Sequence, residues 1–286
     1  MQTNILRSTF GVQSWSILSD IELSIKNKVE TVGVPIKDWN VEIYRGVLTG
    51  YNDAFIISSE KRNEILSNCA NEDERKRTAE LIRPILRGRD IRRYSYDWPN
   101  LWLINTHNGI RGKIDRIHVD DYPAIKQHLD NYWNKILPRA DQGDTAYNLR
   151  NCAYLDDLSK TKIVWIELSD ESKFALCDDI IPLNTVFFLT GDHLHHILGL
   201  LNSKLIHWYF TKCLGTSSGV GTNRWLKYTV EQLPLVKYQD NKLSQLVESR
   251  LMCDTCPNQL ERDIDDIVCD MYGLSPVEAS FIIDSF

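Results

Sequence analysis

Six short apolar runs, unevenly spaced and separated by helical patterns, constrain this chain more than any other feature. They are VEIYRGV (41–47), AFIIS (54–58), LWLIN (101–105), KIVWIEL (162–168), KFALC (173–177) and TVFFLT (185–190). Runs rich in β-branched and aromatic residues read as strands. Regular strand–helix alternation would build a doubly wound sheet, and a fixed period would build a solenoid; neither is present. The pattern predicts an α+β fold.

The helical stretches carry their own punctuation. In ILSDIELSIKNKVETVG, Ser19 or Asp20 can cap a helix, with Ile21, Ile25, Val29 and Val32 on one face and Gly33 as a stop. A second helix fits 121–137, carrying Tyr122, Ile125, Leu129, Trp133 and Ile136, and a long one fits 192–212, capped by Asp192. After EQLPLV (231–236) come two amphipathic patterns. In the second, Leu260, Ile264, Ile267 or Val268, and Met271 face inward. SPVEASFI then opens a last helix, with Ser275 as cap, Pro276 first and Glu278 three residues on. This helical end is expected to form a separate layer or a docking element.

Charge is unevenly divided. The formal net charge is -6, but ten of the 39 acids and only three of the 33 bases lie from Asp240 onward. The body before that point is nearly neutral, so a bulk acidity does not exclude a local face for polyanions. No apolar run approaches the ~20 residues of a membrane span. Seven irregularly spaced cysteines suit reduced thiols in a cytoplasm better than a disulfide framework.

No catalytic signature emerges. The chain has no G-x-x-x-x-G-K-[ST] loop, no G-x-S-x-G elbow and no completed nucleotide-binding glycine fingerprint. Asn-Pro never occurs, so the Asn-Pro-Pro-aromatic motif of amino-group methyltransferases is missing. His193, His195 and His196 in HLHH read as solvated residues at a helix start before they read as a metal site. CDTC (253–256) is a lone C-x-x-C, and Glu167 lacks an acidic partner at a fixed spacing.

Four polar loops suggest binding instead. LIRPILRGRDIRRY (81–94) crowds Arg83, Arg87, Arg89, Arg92 and Arg93 around one glycine with a single local acid, Asp90. Guanidinium forks suit phosphate oxygens and guanine edges. One or two of these arginines are expected to pair with internal acids. YRGVLTGYNDAF (44–55) reads either as a tight hairpin or as a loop whose glycines admit a ligand close to the backbone. TSSGVGTNRWLKY (216–228) ends in a basic-aromatic segment, and TAYNLRNCAY (145–154) carries Tyr147, Asn148, Arg150 and Asn151. Together they favour a nucleic-acid reader.

The ordered set DWNVEIYRGVLTGYNDAFII, IRPILRGRDIRRY, YNLRNCAY, KIVWIELS, LLNSKLIHWYF and RWLKYTVEQLPL resembles the TaqI-like target-recognition domain. That domain stands at the C-terminus of type IIG restriction–modification proteins and related adenine-specific DNA methyltransferases. The likeness covers about residues 12 to 238, and the helical end resembles the end of the same proteins.

The resemblance implies a mixed-sheet DNA methylase specificity domain with a helical C-terminal tail. It would grip double-stranded DNA opposite an N-terminal methyltransferase domain of the same polypeptide, which flips one adenine and methylates it with S-adenosylmethionine. With the catalytic motifs missing, the chain reads as a C-terminal fragment that holds no cofactor, and the parent's ability to cleave DNA stays open. Residues 1–31 then read as a linker helix from the catalytic domain, 32–238 as the recognition domain and 239–286 as the tail.

Within matching motifs, the resemblance assigns Arg45, Thr49, Asn52, Arg87, Arg89, Arg92 and Arg93 to the DNA-facing surface. Tyr147, Arg150, Ser217, Ser218, Arg224 and Lys227 form a second tier, with Trp225 as a packing anchor. Two other readings remain: a protein-interaction module docking through the acidic tail, and a metal-dependent nuclease using Glu167.

Overall fold

A computed structural model describes residues 18–215, 217–218, 222–253 and 257–285. Helix α1 (Asp20–Val32) leads through β1 (Val34–Pro35) to β2 (Val41–Arg45). A single turn, α2 (Asn52–Phe55), runs into β3 (Ile56–Ser58), followed by α3 (Ser59–Ser67), α4 (Glu72–Leu81) and β4 (Ile82–Leu86). After β5 (Leu101–Ile104) come α5 (Pro123–Asp130) and α6 (Trp133–Ile136). Strands β6 (Lys162–Ile166), β7 (Phe174–Cys177), β8 (Ile181–Pro182) and β9 (Val186–Gly191) precede α7 (Leu194–Asn202) and α8 (Lys204–Tyr209). A short ribbon pairs β10 (Ser217–Ser218) with β11 (Thr222–Asn223), ahead of α9 (Lys227–Val230) and β12 (Pro234–Leu235). Helices α10 (Lys242–Met252), α11 (Pro257–Met271) and α12 (Pro276–Asp284) complete the described residues.

The fold is α+β, with two four-stranded sheets. One has the order β2-β9-β6-β7 and is antiparallel throughout. The other, β3-β5-β4-β8, is mixed, because β8 joins β4 in parallel. The antiparallel sheet divides the molecule. Its register lines up Arg45, Phe187, Trp165 and Phe174 in one cross-strand row and Tyr44, Phe188, Val164 and Ala175 in the next.

Since successive side chains point to opposite faces, alternate rows enter different cores. Trp165, Phe174 and Phe187 join a core with α1, α7, α8 and the three final helices, while Val164, Ala175 and Phe188 join the core around the mixed sheet. Burial on both faces explains why KIVWI and VFFLT are apolar without alternation.

Several elements depart from the sequence expectation. AFIIS splits: Ala54 and Phe55 close α2, and only Ile56–Ser58 pair with β5. Residues 44–55 form no hairpin, because β2 and β3 belong to different sheets. The chain instead crosses residues 182–186, with the Gly46 N–H donating to the Val186 carbonyl and the Val47 N–H to that of Pro182, both at 2.8 Å. A Cβ on Gly46 would overlap the Leu183 carbonyl, so this glycine serves a chain crossing rather than a ligand.

The 192–212 helix breaks at the extended Ser203, whose Oγ accepts from the Ile206 N–H at 3.2 Å and caps α8. Asp192 does not cap α7; its carboxylate accepts from Asn40, and His193 takes the cap position with φ 56°. Residues 121–137 likewise divide into α5 and α6. Helices α3 and α4 had no apolar periodicity to announce them. Their burial is confined to a few positions such as Ile65, Leu66 and Leu81, although Ser58 and Asn71 cap them conventionally.

The final helices are stitched to the rest by their acids. Glu261 receives Arg93 and Arg250, both at 2.8 Å. Asp265 is buried and accepts from the Lys204 N–H at the start of α8 (2.8 Å); burial pushes its carboxyl up to about 6. Glu278 belongs to the capping box at Ser275 and also accepts from Ser24 and Lys28 of α1. The tail therefore shares a core with α1 and the antiparallel sheet. No helix among the described residues is long and apolar enough to cross a membrane, and Cys69, Cys152, Cys177, Cys213 and Cys269 are free thiols.

Burial opposes ionisation of Glu278, but hydrogen bonds from Lys28, Ser24 and Ser275 outweigh it and hold the carboxyl down to about 2. A depressed carboxylate stabilises the fold above its ordinary value of 4.5, and the contribution is lost as pH falls toward 2. Glu278→Ala is expected to cost about 2 kcal/mol at pH 7. Urea titrations at pH 7 and pH 3 should show a smaller gap between variant and parent at the lower pH.

Candidate nucleic-acid interface

The alternation that feeds the two cores also places Arg45 at the end of an aromatic row, on the edge strand β2. Its guanidinium lies 5.6 Å from the Phe187 ring centroid, its Nε donates to the Asn184 carbonyl at 2.6 Å, and its Nη2 is 3.5 Å from Glu167. Glu167 directly follows β6 and also accepts from Arg224 Nη2 at 2.6 Å. That bond, first among the causes, raises the Arg224 pKa from its ordinary value. One carboxylate thus gathers two guanidiniums from distant parts of the chain.

Arg224 is held in place by its backbone. The Trp225 N–H donates to the Glu167 carbonyl at 2.7 Å and the Ser169 N–H to that of Asn223 at 3.2 Å, a short ladder that pairs Leu168 with Arg224. The Trp225 indole anchors the ladder, stacked on Phe210 at 3.7 Å and donating to the Ser169 carbonyl at 3.1 Å. Lys227 extends back to β2, where its Nζ donates to the Ile43 carbonyl at 2.8 Å, and it lies 3.4 Å from Glu231.

ILRGRDIRRY docks against the same end of the sheet. Gly88–Asp90 forms a 3-10 turn whose Gly88 N–H donates to Thr185 Oγ1 at 3.3 Å, and a Cβ on Gly88 would strike Ile166. Asp90 accepts two hydrogen bonds from Arg87, at 2.8 and 2.9 Å, which raise the Arg87 pKa. Arg92 pairs with Asp97 at 3.0 Å, Arg83 pairs with Asp179, and Arg93 turns inward to Glu261 above Tyr94. The apparent surplus of positive charge is therefore mostly met by acids, two of them local (Asp90 and Asp97) and two remote in sequence (Asp179 and Glu261). Four of the five arginines have carboxylate partners, against the one or two expected. Arg89 is exposed and its side chain has no partner among the described residues.

This sheet end consequently carries Arg45, Arg89, Arg92, Arg224 and Lys227 against the carboxylates of Glu167, Asp97 and Glu231, and the loop from β6 to β7 adds exposed Asp170 and Glu171, the latter 3.4 Å from Lys173. Arg87 and Arg93 brace the fold instead. Thr49 is not surface: it is 1 % exposed and its hydroxyl donates to Asn52 at 2.6 Å, leaving Asn52 itself exposed.

Tyr147 and Arg150 sit on a separate loop. Tyr147 donates to Asp130 at 2.6 Å and packs on Trp133; burial, aided by Asp130, pushes its phenol up to about 12. Arg150 lies 3.3 Å from Asp141. Ser217 and Ser218 pair through their backbones with β11, but their side chains fall outside the described residues, as do Asp254, Thr255 and Cys256 of CDTC.

The three histidines diverge: His193 stacks on Tyr238, His195 lies near Glu248, and buried His196 contacts the Val236 carbonyl. Glu167 is occupied by arginines, and among the described residues no three His, Cys, Asp or Glu side chains gather as metal ligands.

Arg139 was not foreseen. It is buried, its guanidinium over the Phe55 ring at 4.3 Å, and it donates to the carbonyls of Thr49, Ala146 and Asn148. Burial lowers its pKa to about 10. It ties the 46–51 crossing to the Tyr147 loop, and the only sequence signal was an arginine just after LP in an otherwise exposed helix end.

The antiparallel sheet thus divides two cores, and several cations lie at one end of it. The chain belongs to the TaqI-like C-terminal specificity domain family, which matches residues 83–235, more than half of its length. In fold it is similar to the type IIL restriction-modification enzyme MmeI, whose structure is in complex with DNA. That match has a TM-score of 0.57 at 12% identity, over 87% of this chain and 35% of MmeI. The type IIG restriction endonuclease BpuSI matches with a TM-score of 0.48 at 12% identity, over 91% of this chain and 33% of BpuSI. The chain thus spans about a third of the length of each enzyme. No curated protein sequence matches it.

Replacing Arg139 with methionine would strand the carbonyls of Thr49 and Ala146, while that of Asn148 keeps the Gly143 N–H, a loss expected to cost about 3 kcal/mol. Hydrogen exchange should accelerate most in residues 46–51 and at the Leu149 amide, which donates to Thr106.

Proposed function

We propose that the chain is a DNA sequence-recognition domain of a restriction–modification protein, and that Arg45, Arg89, Arg92, Arg224 and Lys227 hold the phosphate backbone. The carrying observation is that these cations lie at one end of the antiparallel sheet, where Arg45 and Arg224 share Glu167. Family membership supports the same reading. Asn52, Tyr147 and Arg150 are the next candidates for contact on the neighbouring loop system. Thr49, Arg87 and Arg93 act by positioning that surface.

The partner in this reading is an N-terminal adenine-specific methyltransferase domain, closing on duplex DNA from the other side and flipping the target base in the cytoplasm. S-adenosylmethionine would supply the methyl group there. This chain's residues do not fit that cofactor, lacking both the glycine fingerprint and the Asn-Pro-Pro segment, so no step of transfer is assigned to them. The interaction-module reading is weaker, because Glu261, Asp265 and Glu278 of the acidic tail are spent on bonds within the chain.

Each neutralised phosphate steepens the salt dependence of binding by about 0.9 in log–log slope. Arg45→Ala with Arg89→Ala is expected to weaken binding to all duplexes alike and to lower that slope by about 2. Glu167→Gln should tighten binding a few-fold at low salt, since it removes a negative charge from the rim. Gel shifts or fluorescence anisotropy across a salt series measure both. An unmodified chain that binds no duplex at low salt would contradict the assignment.

A further inference from the structure

Two large apolar side chains stand out on this mixed rim, one of them paired across strands with Arg224. Leu168 is 49% exposed and Tyr228 is 54% exposed, whereas Trp165, Phe187 and Trp225 nearby are buried. A single exposed leucine is ordinary. Leu168, however, is the direct cross-strand partner of Arg224 and immediately follows Glu167, the carboxylate shared by Arg45 and Arg224. Tyr228 adjoins Lys227 in sequence and is close enough to Arg224 to act on it electrostatically.

The backbone beneath them is rigid. The ladder on both sides of Leu168 and the buried Trp225 stack fix the position from which the leucine projects. Such support is what a side chain needs to enter a confined space reproducibly. The polyanion that guanidiniums attract presents its apolar surface only inside its grooves, at thymine methyls and at opened base steps.

We propose that Leu168, with Tyr228 on the other side of the chain near Arg224, is an apolar tip that enters a groove of duplex DNA and contacts the bases while Arg45 and Arg224 hold the backbone. This rests on the DNA-recognition reading and adds to it: the cations position the duplex and the tip contributes sequence discrimination. A protein surface could also cover two exposed apolar residues, but the cations around them favour a polyanion.

The two contributions separate by salt. The unmodified chain is first used to enrich duplexes from a random pool. Leu168→Ala, Leu168→Gln and Tyr228→Ala are then measured on an enriched duplex and on the starting pool, across salt concentrations, with thermal unfolding as the control for folding. Both Leu168 variants are expected to lose about tenfold affinity for the enriched duplex while binding the pool as before, with an unchanged salt slope. Tyr228→Ala should lose discrimination in the same way.

Equal losses on both DNAs, a change in slope, undiminished discrimination, or failure of the unmodified chain to enrich any sequence would overturn the tip. Salt-sensitive binding to the pool would meanwhile leave the wider reading standing.

Discussion

The antiparallel sheet is buried on both faces, and the rest of the molecule follows from that constraint. Residues 163–165 of β6 and 186–189 of β9 all enter one of the two cores, so the middle of neither strand has a solvated face. Helices α1, α7, α8 and α10 to α12 close over one side and the mixed sheet over the other. What remains accessible is the perimeter, where Arg45 ends β2 and Glu167 follows β6. The proposed recognition surface lies on that perimeter because the faces are taken.

Charge is arranged by the same economy. An arginine cluster in sequence suggests a cluster in space, yet Arg83, Arg87, Arg92 and Arg93 each meet a carboxylate, and Arg93 does so on a helix more than 150 residues away. Glu167 works in the opposite sense, collecting Arg45 and Arg224 into one place. The outcome is a mixed rim with a modest positive excess rather than a uniform basic patch. In the proposed reading, such a rim shares the duplex with a partner domain. Arg139 adds a second kind of arginine, one that meets only backbone carbonyls and serves loop geometry.

Much of the fold was legible in the chain. Strong local signals survived folding: the Ser19 cap, the Ser275 capping box, five of the six apolar runs, the amphipathic final helices and the packing role of Trp225. The losses came where sequence neighbours part company. The glycines of YRGVLTGY looked like a hairpin, but the strands on either side join different sheets. Helices α3 and α4 bury too little to show a period, and a serine divided the 192–212 helix.

The candidate site was less legible than the fold. Sequence alone established the α+β class, the missing catalytic motifs and the loops rich in Arg and Asn, because propensity, motif and composition are local properties. Tertiary structure decided which arginines are spent on the fold, that Thr49 is interior, and that Leu168 and Tyr228 stand among cations. Those outcomes depend on which distant residue fills the space beside each side chain. Strand pairing and packing set that neighbour, and nothing within a few residues along the chain encodes it.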